Sequence, residues 1–120
     1  MRLQRGRHFE AVAAEYLEER GLVVLARGYR CRLGEIDLVC REQRTLVIVE
    51  VRARGSGAVA RAAESIGPAK RTRIIRATRH FLMRHREWRD SAIRFDVVAF
   101  DAIDTADTRI SWLRNAFDAS

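Results

Sequence analysis

The chain has 120 residues, 48% of them hydrophobic and 32% charged, with 23 Lys or Arg against 16 Asp or Glu and a net charge of +7. That describes one soluble globular domain over residues 1–120 with a modest core, and no apolar stretch approaches the ~20 residues of a membrane-spanning helix. The basic balance favours a polyanionic partner, nucleic acid above all, over a membrane, because no basic amphipathic helix with bulky aromatics is present.

All the basic residues except Lys70 are arginine. Two readings of this stay open: a preference for the better phosphate fork, or the drift of a GC-rich genome. The opening "MRLQRGRHFEAV" has no apolar core of a signal peptide, which predicts a cytoplasmic protein. Cys31 and Cys40 lack CxxC spacing and are expected as free thiols rather than zinc ligands.

Along the chain, residues 8–20 predict a helix, with Phe9, Val12, Ala13, Tyr16 and Leu17 on one apolar stripe and Gly21 as its stop. Residues 22–30 predict a first strand. Residues 35–41 and 45–52 predict a second and a third, joined by a tight turn at "EQR". "RARGSGAV" is a polar loop. Past Pro68, a second helix is expected over 69–86. Its buried face is Ile74, Ile75, Thr78, Phe81 and Leu82, and its opposite face is Arg73, Arg76, His80 and Arg84. "IRFDVVAFDA" and "RISWLRNAF" supply a fourth and a fifth strand. The order αβββαββ is that of an α/β domain with a mixed central sheet flanked by helices.

Two of these strands hold acids among valines. Alternation puts Glu35, Asp37 and Val39 on one face of the second strand. In the third, Leu46, Ile48, Glu50 and Arg52 share a face, and Val47, Val49 and Val51 take the other. A hairpin with Gln43 and Arg44 as its loop sets Asp37 opposite Glu50, with Cβ atoms roughly 4.5–5.5 Å apart. Two carboxylates at that spacing repel unless a cation lies between them. Mg²⁺ or Mn²⁺ fits, held by Asp37, Glu50 and the backbone carbonyl of Val51. Arg52 points where the ion's ligand would lie, and Glu10, at the edge of the helix stripe, reaches in as a third acid. Spacing alone leaves the plain alternatives open: a solvated Asp, and a Glu-x-Arg surface pair worth little.

"GEIDLV", "VIVEVRAR", "AAESIGPAKRTRI", "RFDVVAF" and the closing "NAF" resemble, in order and spacing from about Gly6 to Phe117, the YraN family of small bacterial proteins. That family resembles the restriction-endonuclease-like nucleases, which include archaeal Holliday junction resolvases. The resemblance implies that fold and a site of Glu, Asp and Glu-x-Lys, matched by Glu10, Asp37 and Glu50. The fourth position departs, since Arg52 stands where the pattern has Lys. Arginine stays protonated, so it can hold phosphate but cannot act as a base. Lys70 matches a basic family position ahead of the second helix.

These readings give a metal-dependent endonuclease acting on DNA, including branched repair or recombination intermediates. Arg54, Lys70, Arg73 and Arg76 are expected to contact nucleic acid, and analogy with resolvases suggests a homodimer. The competing expectation is a nucleic-acid-binding or assembly module whose site no longer cuts.

Overall fold

The computed structural model describes residues 2–53, 66–101, 106 and 108–119. The elements are α1 (Arg2–Glu19), β1 (Val23–Cys31), β2 (Gly34–Glu42), β3 (Thr45–Ala53), α2 (Pro68–Arg84), a 3₁₀ turn at Arg86–Trp88, β4 (Ile93–Asp101) and β5 (Arg109–Phe117). This is the expected α/β order.

The sheet runs β1-β2-β3-β4-β5. Every neighbouring pair is antiparallel except β3 and β4, which are parallel and joined through α2. Ala13, Ala14 and Leu17 of α1 pack on Leu38, Cys40, Val47, Val49, Val98 and Phe100. On the other face Ile74, Ala77 and Phe81 of α2 meet Ile36, Val39, Leu46, Ile48, Phe95 and Val97. The sheet is therefore buried on both faces, which is why its central strands read as nearly continuous apolar runs. Both cysteines are free thiols, Cys40 buried and Cys31 half-buried.

α1 begins at Arg2 rather than at residue 8. Apolar periodicity starts only at Phe9, but the Leu, Gln and Arg before it are good helix formers. The helix stops at Gly21, where Gly21 N–H donates to the Glu18 carbonyl and Leu22 N–H to that of Leu17, a Schellman closure.

α2 differs from expectation in two ways. Ala77 takes the buried position between Ile74 and Phe81, leaving Ile75 and Leu82 at the flanks. His80, expected on the outer face, is half-buried and hydrogen-bonded through Nδ1 to the Tyr29 hydroxyl. The helix ends at Arg84, where His85 N–H donates to the Phe81 carbonyl. Of the expected loop "RARGSGAV", Arg52 and Ala53 belong to β3 and the rest lies outside the described residues.

The hairpin register is the expected one. Glu42 pairs with Thr45 around a Gln43–Arg44 loop, and the ladder runs to Leu38–Val49. Gln43 has φ 54°, a left-handed conformation within the two-residue loop, so the turn forms without an Asn-Gly signal.

The strict alternation expected of β2 does not hold. Ile36 and Val39 face the same α2-side core, while Leu38 and Cys40 face α1. The phase breaks at Asp37, which neither ladder pairs. Its neighbour across β1 is Gly28, whose φ of +58° a residue with a side chain rarely adopts. β2 is thus irregular where it holds its acid.

Candidate active site

Asp37 lies where β2 and β3 part. One step beyond the last ladder pair it stands opposite Glu50, and its Oδ2 accepts the Val51 N–H at 2.8 Å. A carboxylate here replaces the missing strand-to-strand bond.

Glu50 continues the face of Leu46 and Ile48 and is almost fully buried. Burial first, then the nearby Asp37 charge, raise its pKa to about 8 against the opposing pull of Lys70. Glu10 comes from α1, whose rotation is fixed by Phe9 packed on Phe100 at 4.9 Å. Its pKa is raised to about 7, again by burial first and Asp37 second. The Asp37 carboxylate lies near enough to both glutamates for its charge to raise each of them. Three acids meeting through one Asp is the like-charge arrangement that lifts carboxyl pKa values toward neutrality.

Among the described residues, no group of three or more His, Cys, Asp or Glu closes tightly enough to hold a metal ion by itself. Asp37 and Glu50 would offer two carboxylate donors to a hard divalent ion that retains several waters. Val51 stands beside them, its N–H committed to Asp37.

Arg52 is half-buried in β3. Its Nε is buried with no hydrogen-bond partner among the described residues. The cation on Glu50 is Lys70, with Nζ 3.0 Å from Oε1. Arg73 and Arg76 are exposed on α2 and stay off the acids, and Arg54 lies outside the described residues.

A cleft of about 830 Å³ opens on the α1 side, bounded by Glu10, Asp37 and Val51 and also by Arg7, Arg27 and Arg30. These arginines are absent from the contacts expected from the sequence. Arg7 sits one helical turn before Glu10 and so on its face, a signal hidden by starting the helix at residue 8. Arg27 and Arg30 reach the cleft only because β1 pairs with β2. Their ion pairs, with Glu18 at 3.8 Å and Glu35 at 3.3 Å, are exposed and weak.

The model of the "Uncharacterised protein family UPF0102" matches residues 9–100. The chain is 43% identical to a UPF0102 protein of Legionella pneumophila, an alignment covering 99% of this chain and 98% of that one. It is 45% identical to one from Nitrosomonas europaea (97% and 95% covered) and 47% identical to one from Methylobacillus flagellatus (97% and 98% covered).

Proposed function

The chain belongs to the UPF0102 family, and from its site geometry we propose that it is a metal-dependent nuclease hydrolysing phosphodiester bonds in DNA, branched repair or recombination intermediates included. The observation that supports this most is the placement of Asp37, opposite Glu50 where the hairpin parts and beside Glu10 in an arginine-rimmed cleft.

A divalent cation bound by Asp37 and Glu50 would supply Lewis acidity toward the phosphate and lower the pKa of water. The chain's own groups do the rest. Arg7, Arg27 and Arg30 draw the backbone into the cleft by charge. Arg52, permanently protonated, holds a non-bridging phosphate oxygen. Glu10, with its pKa near neutrality, is suited to take a proton at working pH. Water oxygen bonds to phosphorus and the bond to the leaving sugar oxygen breaks. The water proton passes to Glu10, and the leaving oxygen is protonated from solvent.

The test is cleavage of single-stranded, duplex, flapped and four-way DNA with Mg²⁺ or Mn²⁺. Wild type should cut at least one substrate, and Asp37→Ala should lose about 10²-fold or more in rate, as removal of a preorganised electrostatic group does. No cutting by wild type, or equal cutting by the variant, rejects the reading. Arg52 at the lysine position favours the alternative, a binding module that does not cut. A protein that binds DNA in a salt-sensitive way and never cleaves it would be that module.

A further inference from the structure

We propose that Lys70, carried on the first turn of α2, is the lysine of this site, and that its ammonium acts in place of a strand lysine at position 52. The inference rests on the nuclease reading and names the residue that completes it.

Lys70 is the third residue of α2. Its side chain is 33% exposed while that of Glu50 is 5% exposed, so the ammonium enters from the surface to meet a buried carboxylate at 3.0 Å. The ion pair of Glu50 is with Lys70 and not with Arg52, whose Nε is buried without a hydrogen-bond partner among the described residues.

Two further features set Lys70 apart. Every other basic position in the chain is arginine, which leaves this as the one place where a compact ammonium is kept instead of a planar fork. A cation in the first turn also opposes the helix dipole. That turn has no acid, and Gly67 offers no side-chain cap. Helix electrostatics therefore disfavour a lysine here, and the contact with Glu50 is what it gains.

The flexible four-carbon stem lets the ammonium move between Glu50 and a phosphate oxygen. The same ammonium stands where a divalent ion would approach Glu50. Lys70 and the ion are then competitors for Glu50, and an occupied site releases the lysine to the phosphate.

The experiment compares wild type, Lys70→Gln, Lys70→Arg and Lys70→Gln combined with Arg52→Lys in two assays, Mn²⁺ titration by calorimetry and DNA cleavage. Lys70→Gln should bind Mn²⁺ about fivefold more tightly or better, the effect of removing one like charge a few ångströms away under water-like screening. It should also cut about 10²–10³ times more slowly. Arg52→Lys should not restore the lost cutting. A structural lysine would not give this opposite movement of the two readouts.

Unchanged or weaker Mn²⁺ binding in Lys70→Gln, wild-type cutting by it, or rescue by Arg52→Lys overturns the inference while leaving the nuclease reading intact. If Lys70→Gln does not fold, Lys70→Arg decides: it keeps the charge, and wild-type cutting by it overturns the proposal. Wild type that binds Mn²⁺ without cutting rejects the nuclease reading, and with it the catalytic part of this inference, and the titration then decides only whether Lys70 and the ion compete for Glu50. Wild type that neither binds Mn²⁺ nor cuts rejects the nuclease reading and this inference together.

Discussion

Glu50 is a buried acid with an acid for a neighbour, and that fixes a pH dependence. Its folded pKa of about 8 and that of Glu10 near 7 lie above the ordinary 4.5. Between those values the folded protein binds protons that the unfolded chain has released, so stability falls as pH rises. The contribution is complete below about pH 4.5 and gone above about pH 8. Glu42 runs the other way, its carboxyl held low by Arg114 and Arg94, but its window lies below 4.5. In chelator, the melting temperature should therefore drop between pH 5 and pH 8.5, and Glu50→Gln should drop less. Added Mn²⁺ should raise the wild-type melting temperature more at pH 8.5 than at pH 5. Identical pH slopes for wild type and Glu50→Gln in thermal melts would contradict this account. Asp37 and Glu50 could be singled out from sequence because the hairpin register is local. Lys70 as the partner of Glu50 could not, because they lie twenty residues apart on different elements, β3 and the first turn of α2.

At the scale of elements, two devices hold the site's frame. The first is Gly34, where β2 starts. A Cβ there would come within 2.2 Å of the Arg73 carbonyl oxygen and 2.8 Å of its carbon. Backbone of α2 thus lies directly on the β1–β2 turn, three residues from Lys70. Gly34→Ala should force α2 away and destabilise the fold by roughly 1–3 kcal/mol, read as a lower urea midpoint. An unchanged midpoint would mean that the helix does not sit this close. The second device is Asp96 on β4, fully buried. It accepts hydrogen bonds from Arg94 Nε at 2.9 Å and Nη2 at 3.0 Å, from Trp112 Nε1 at 2.8 Å and from the Asn115 N–H at 2.8 Å. These bonds span the register shift between Phe95 and Val97 and hold Asn115 at φ 52°. Asp96→Ala leaves the Arg94 guanidinium half-paired, with only Glu42, and should cost about 3–5 kcal/mol in chemical denaturation. A loss below about 1 kcal/mol would show that the network is not what secures β5. "RFDVVAF" announced a strand, but nothing local in it told that its Asp collects donors from β5. Alternation failed at Asp37 for a related reason, since the break comes from Gly28 on the neighbouring strand.

Across the whole molecule, element order and turn positions were legible because each depends on local periodicity and punctuation. Which charges face which side of the sheet was not, because that follows from packing. The helices lie on opposite faces, so the basic residues divide into two groups: Arg7, Arg27 and Arg30 around the cleft on the α1 side, and Arg73 and Arg76 exposed on α2. Only the first group borders Glu10 and Asp37. If the cleft holds the substrate backbone, those three arginines supply the phosphate contacts, each releasing a counterion on binding. For duplex DNA the slope of log affinity against log salt should then shrink by about 0.9 for each contact removed. The triple variant Arg7→Ala, Arg27→Ala, Arg30→Ala should flatten the slope by roughly 2–3. The double variant Arg73→Ala, Arg76→Ala should leave it nearly unchanged. Fluorescence-anisotropy titrations in Ca²⁺ across a salt series measure both. The reverse result would put the DNA over the exposed Arg73 and Arg76 face of α2 rather than in the cleft.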